Sequence, residues 1–194
     1  MSGWLLILIV VVGIALVGCK TMRSGYESAP YRVVSTAGKF EIRDYPALTL
    51  VETLTACGGS EADGDFNRLF RFITGSNEAK QNISMTTPVF MSGSGSNATM
   101  AFVMPVKLTA AQVPKPVDGS VTVRELEPGR FAVLRFSGGR NAEKESEALN
   151  RLKTWMAGQG LKAVSAPVYG YFDPPWTPAF LRRNEAMLRI EAER

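Results

Sequence analysis

The stretch Arg130–Gly160, RFAVLRFSGGRNAEKESEALNRLKTWMAGQG, decides the fold. Phe131–Phe136 reads as a strand, Gly138-Gly139 as a turn and Asn141–Met156 as a helix, with Leu149, Leu152 and Met156 at helical spacing. The same order occurs upstream. Leu48–Cys57 alternates as a strand does, Gly58-Gly59 makes the turn, and Ser60–Thr74 makes a helix whose start carries Ser60 with Asp63 three residues on. Asn67-Arg68-Leu69 with Gly75 returns as Asn150-Arg151-Leu152 with Gly158 at an offset of 83, while the glycine pairs sit at an offset of 80. Three extra residues therefore stand between the glycine pair and the helix motif of the second copy, and the chain reads as one domain of two similar halves.

After each helix the sequence predicts two more strands: Ile83–Met91 and Met100–Met104 in the first half, Ala166–Phe172 and Met187–Ile190 in the second. Tyr31–Ser35 and Phe40–Tyr45 form a hairpin ahead of the first repeat, Val121–Glu125 precedes the second, and the Pro- and Ala-rich Thr109–Gly119 crosses between the halves. Two β-α-β-β units of this kind join into one antiparallel, barrel-like α+β domain with a helix on each side. The groove between the halves is the natural place for a ligand. On the first helix, Phe66, Leu69, Phe70 and Ile73 fall on one face and predict the side that meets the sheet. Phe72, beside Arg68 and Arg71, has two readings: it packs beneath a loop, or this helix borders a cleft where apolar and cationic groups meet a ligand.

The chain of 194 residues is long enough for one full core. Its net charge is +4, but lysine and arginine are dispersed without a basic run, which speaks against nucleic-acid binding. The sequence contains no histidine. That removes Ser-His-Asp and Cys-His nucleophiles, the commonest zinc sites and an imidazole ligand to haem iron.

An unbroken apolar run, Trp4–Val17, is shorter than the roughly 20 residues of a membrane span and fits a signal h-region. Leu16-Val17-Gly18-Cys19 follows and resembles a bacterial lipobox, although no lysine or arginine precedes the run. The resemblance implies a signal peptide over 1–18, lipid on Cys19, a polar tether over 19–30 and a domain over 31–194, in the cell envelope and facing the periplasm. An uncleaved anchor and a soluble form are the alternatives. Cys57 then has no disulfide partner and reads as a small half-buried hydrophobe.

Val168-Tyr169-Gly170-Tyr171-Phe172-Asp173-Pro174-Pro175-Trp176-Thr177-Pro178 precedes Arg182-Arg183-Asn184-Glu185. The prolines take the backbone out of the sheet, Asp173 caps the turn, Trp176 covers apolar surface and Arg183 pairs with Glu185 as the chain re-enters. This segment, the strand Met85-Thr86-Thr87-Pro88-Val89, the helix end Gly75-Ser76-Asn77 and the two-half layout resemble the SOUL haem-binding protein family across Tyr31–Ile190. The resemblance implies a distorted eight-stranded antiparallel barrel flanked by two long helices, as in bacterial effector-binding domains. It also implies a non-enzymatic binder of haem or another tetrapyrrole, in a hydrophobic cleft along the first helix with basic groups near the propionates. Matched to the helix end, the lining positions are Phe66, Phe70 and Arg71. With histidine absent, apolar contact and charge pairing remain, or iron ligation by Met85, Tyr169 or Tyr171, each of which also reads as packing. Two other classes stay open. One is an effector-like domain for amphipathic molecules or envelope partners, with Glu52 and Glu125 as acids for a cation; the other is an enzyme working through paired carboxylates, for which no spacing singles out a pair.

Overall fold

The computed structural model describes residues 25–55, 62–117 and 119–191. The expectations for Cys19, Cys57, the Gly58-Gly59 turn and the Ser60 cap lie outside these residues. In chain order the elements are β1 (Glu27–Ser28), β2 (Arg32–Ala37), β3 (Phe40–Tyr45), β4 (Leu48–Leu54), α1 (Ala62–Ile73), β5 (Thr86–Thr87), β6 (Val89–Ser92), β7 (Thr99–Val103), β8 (Thr122–Leu126), β9 (Gly129–Phe136), α2 (Ala142–Gly158), β10 (Val168–Tyr171) and β11 (Asn184–Arg189).

Nine strands form one antiparallel sheet in the order β2-β3-β9-β11-β10-β6-β7-β4-β8. The order displays the duplication: β9-β11-β10 mirrors β4-β7-β6 about a pseudo-two-fold between β10 and β6, where Tyr171 lies opposite Val89 and Tyr169 opposite Met91. The strands that precede each unit are exchanged, since β3 pairs with β9 and β8 with β4. The predicted α+β architecture of two β-α-β-β units is therefore present, with the sheet curled into a half-barrel of nine strands.

Both helices cover the same face. Helix α2 lies over β9 and β11, and α1 over β4 and β7. Under α2 the core is Ile42, Leu134, Leu152, Met156 and Leu188; under α1 it is Val51, Leu69, Phe72, Ile73, Phe102 and their neighbours. Leu48, Leu50, Phe90, Val103, Phe131, Val133 and Met187 alternate to the opposite face and fill the inside of the curl.

Two local expectations differ from the structure. The stretch Ile83–Met91 is two strands, because Pro88 has no N–H to donate and interrupts the ladder between β5 and β6. The buried stripe of α1 is Leu69, Phe72 and Ile73 with Asp65, and Phe66 and Phe70 are exposed. The helix is rotated from its expected seat because Phe72 packs into a core that also takes in Val113 and Val121. The helix end is as the sequence suggests: Gly75 adopts φ +107°, and buried Asn77 donates to Phe72 O at 2.9 Å and Gln81 O at 2.7 Å.

Candidate functional site

Between the helices lie β6 and β10 at the centre of the sheet, and of their helix-side chains Val89, Tyr169 and Tyr171 are only partly buried, which makes this strip the candidate floor of a groove. Val89 and Met91 from β6 and Tyr169 and Tyr171 from β10 face the helix side, packed against the core beneath α1. One wall comes from α1. Phe66 and Phe70 stand one turn apart with rings stacked at 5.9 Å and an interplanar angle of 16°, and Phe66 meets the edge of Phe102 at 5.2 Å. They remain 36% and 43% exposed, so an aromatic ledge faces solvent above an apolar floor.

The other wall starts at the beginning of α2, where Asn141 caps the helix by accepting from the N–H groups of Glu143 and Lys144 at 2.8 and 3.2 Å. One turn in, the Glu145 carboxylate accepts the Tyr171 hydroxyl, and its backbone carbonyl accepts the Tyr169 hydroxyl at 3.3 Å. Burial, then the neighbouring Glu145, pushes both phenols above their ordinary range. Arg140 stands 4.0 Å from the same carboxylate. No sequence pattern points to this contact, because Glu145 and Tyr171 are 26 residues apart.

The structure does not bring the three predicted lining residues together. Phe66 and Phe70 share the groove flank of α1; Arg71 lies about 100° further round the helix from Phe70. There it lines a separate cleft of about 250 Å³ with Arg68, Phe72, Pro116, Val117 and Val121. Arg68 is committed, to buried Asp65 and, at 3.2 Å, to Thr53 Oγ1, whereas Arg71 has no ion pair among the described residues. Met85 packs at the margin of the core under α1. Glu52 pairs with Arg124 at 2.9 Å on the face away from the helices, and Glu125 is exposed on β8, three strands from the groove. Among the described residues no group of three or more acidic, cysteine or histidine side chains is placed to hold a metal ion.

The Arg-Arg-Asn-Glu segment serves the fold. Glu185, fully buried, receives Arg43 in a two-pronged contact at 2.7 and 2.9 Å and Arg183 Nε at 2.9 Å. Arg43 also reaches Glu41 at 2.7 Å and the Tyr45 hydroxyl at 3.1 Å, and its guanidinium lies 4.1 Å over the Tyr31 ring. Burial alone would raise the Glu185 carboxyl, but the hydrogen bonds and charge of Arg43, then those of Arg183, hold it below the usual carboxylate range. Asn184 donates to Gly138 O at 2.9 Å and so ties the segment to the turn before α2. Glu41, Arg43 and Tyr45, spaced by two along one strand, are the sequence signal for a shared polar face. The expected Arg183–Glu185 pair is found; Trp176, expected to cover apolar surface, is instead exposed.

Known proteins share both the sequence pattern and this architecture. Residues 26–189 match the family described as SOUL heme-binding protein. The chain is 28% identical over 171 residues to human Heme-binding protein 2, covering 82% of each. An uncharacterized conserved protein from Listeria innocua superposes with a TM-score of 0.62 at 12% identity, over 79% of this chain and 92% of that one. The EcmrR C-terminal domain superposes with a TM-score of 0.55 at 10% identity, over 83% and 98%. At these identities the two structures share a fold, and the family match spans nearly all of the domain. The chain belongs to the SOUL heme-binding protein family.

Proposed function

We propose that this protein is a non-enzymatic binder of haem or a related tetrapyrrole, held in the groove between the two helices and tethered to a membrane through Cys19. The observation that carries the reading is the stacked, exposed Phe66–Phe70 pair beside a floor of Val89, Met91, Tyr169 and Tyr171. A flat apolar macrocycle buries that ledge and gains the hydrophobic stabilisation the free protein forgoes. The fit is to the macrocycle rather than to its metal. The sequence has no histidine, and the two floor tyrosines donate their protons to Glu145 and resist ionisation. A carboxylate of the ligand would meet Arg140, which stands beside Glu145 at the start of α2. The cleft at Arg71, on the other flank, is below the roughly 300 Å³ at which small-molecule pockets begin, and Arg71 is assigned at most an outer electrostatic contribution.

Hemin titration of the full chain in detergent, followed at the Soret band against a detergent blank, tests both placements. Phe70→Glu is expected to weaken binding at least tenfold and Arg71→Glu to leave it within about twofold, a difference of roughly 1 kcal/mol or more. The reverse ranking would move the ligand to the Arg71 flank, and no saturable shift in the unaltered chain would remove the haem reading.

A second reading is favoured by Glu145. A carboxylate on a tyrosine-lined floor beside two exposed phenylalanines suits an amphipathic cation, through charge and cation–π contact. Glu145→Gln separates the two, since it should abolish binding of a lipophilic cation and spare that of hemin.

A further inference from the structure

The segment between β10 and β11 leaves the sheet at Phe172 and returns at Arg183 with its backbone pinned throughout. Asp173 Oδ2 accepts the Arg183 N–H at 2.6 Å, and the Thr177 N–H donates to Pro174 O at 3.0 Å. Arg182 Nε donates to Thr177 O at 2.7 Å while its Nη2 reaches Pro175 O, and the Leu181 N–H donates to Pro178 O at 2.9 Å. Thr177 is buried within this frame. Trp176 and Phe180 are nevertheless 69% and 76% exposed, the most exposed large apolar side chains among the described residues. Single exposed apolar residues are ordinary; two aromatics held outward on one braced loop call for an occupant.

Topology indicates which. Strand β1 runs parallel to β5, with Ser28 beside Thr87, and β5 leads through Pro88 to Val89, the partner of Tyr171 at the root of the loop. Arg183 Nη2 also donates to the Tyr31 hydroxyl at 3.2 Å. The parallel register sends the chain before Glu27 past the end of the sheet from which the loop projects. Adjacent strands are about 4.8 Å apart, so the two departures are separated by only a few strand spacings. From Gly25 back to Cys19 are six residues, which reach at most about 20 Å when fully extended. A lipid on Cys19 thus keeps this end of the domain at the bilayer surface. Arg140 lies at this end beside Glu145, and the acids Glu27 and Asp173 are engaged with backbone N–H groups.

We propose that the Trp176–Phe180 loop seats in the headgroup boundary of the bilayer and turns the Tyr171 end of the groove toward the membrane. Tryptophan favours that boundary because its ring is amphipathic. The inference rests on the lipid-anchored reading of Cys19, and the test keeps the two apart. The full chain carrying Trp4→Phe and Trp155→Phe retains Trp176 as the sole tryptophan. It is mixed with vesicles of phosphatidylethanolamine and phosphatidylglycerol with brominated acyl chains, and the mass of its N-terminal peptide reports lipid on Cys19. Bromine should at least halve Trp176 emission, and vesicles should shield it from aqueous acrylamide. Quenching without lipid on Cys19 would uphold the loop contact and overturn the anchor. Lipid on Cys19 with Trp176 still open to acrylamide would overturn the contact, as would protection conferred by hemin in the absence of vesicles, which would mark the loop as a lid over the groove.

Discussion

At an offset of 83, Leu69 of α1 falls on Leu152 of α2 and Ile73 on Met156, and all four are buried. At the same offset Phe66 falls on Leu149, Phe70 on Lys153 and Arg71 on Thr154. The duplicated helices thus agree where they meet the sheet and differ where they meet the groove or solvent. The inner face of the curl is asymmetric in a complementary way. In the first half it is lined by Leu48, Leu50, Phe90, Ala101 and Val103, with one partly exposed pair, Arg124–Glu52. In the second half it holds the buried network of Arg43, Glu41 and Glu185 with Arg135 and Arg183 at its border. Packing preserves the repeat, and departures from it mark the places where the halves differ, with an exposed aromatic ledge on α1 and a buried ion network beside β11.

The largest expected effect separates the two ion pairs. Glu185→Ala leaves Arg43 buried without its counter-charge and should cost about 3–5 kcal/mol of stability in chemical denaturation. Glu52→Ala, which breaks the inner-face pair of the first half, should cost within about 1 kcal/mol, because its partner Arg124 is already wet. Equal losses would show that the buried network is not the stronger brace. The sign with pH follows from the lowered carboxyl of Glu185: its contribution is fully present above the ordinary value of 4.5 and is lost as pH falls through the lower folded-state value. Denaturation midpoints should therefore drop on acidification below that point, and the Glu185→Gln chain should lack this part of the slope.

Next in size are the shared positions. Leu69→Ala and Leu152→Ala each empty a fully buried site and should each cost about 2–5 kcal/mol, whichever helix carries the change. A large disparity would mean that one helix is merely draped on the sheet. Below these comes an exchange between the copies: Phe70→Lys gives α1 the residue that α2 has at this position. Phe70 is already substantially exposed, so the thermal midpoint should move little, while hemin affinity falls at least tenfold, or about 1.4 kcal/mol. Loss of stability without loss of affinity would return Phe70 to the core.

Much of this arrangement was legible in the chain because repetition is a local signal. The offsets of 80 and 83, the Gly75-Ser76-Asn77 helix end and the alternation of Phe131–Phe136 all reflect backbone geometry that neighbouring residues dictate. The seat of α1 was not legible. Phe66, Leu69, Phe70, Phe72 and Ile73 offer two overlapping apolar stripes, and the choice between them goes with Val113 and Val121, about forty to fifty residues away in and just after the crossing segment. The separation of Arg71 from the phenylalanines follows from that choice. Trp176 differs from expectation for a related reason: a tryptophan between prolines suggests cover, whereas the braces from Arg182 and Asp173 hold it outward.

The smallest effect concerns the two central strands. Across the pseudo-two-fold, β6 offers Val89 and Met91 and β10 offers Tyr169 and Tyr171, so the hydroxyls on the groove floor come from one copy. To ligate ferric iron a tyrosine must give up its proton. Burial and Glu145 both oppose that for Tyr171, whose hydroxyl is engaged with the carboxylate. A tetrapyrrole held here is therefore held by its faces and its carboxylates, and iron adds little. Metal-free protoporphyrin should bind within about threefold of hemin, less than about 1 kcal/mol apart, by tryptophan quenching or competition. Tyr171→Phe should leave that ratio unchanged. A tenfold or greater preference for hemin that disappears in Tyr171→Phe would instead show that ligand binding pulls the phenol from Glu145 and that β10 supplies the iron ligand, which would make the floor as asymmetric in chemistry as the helices are in shape.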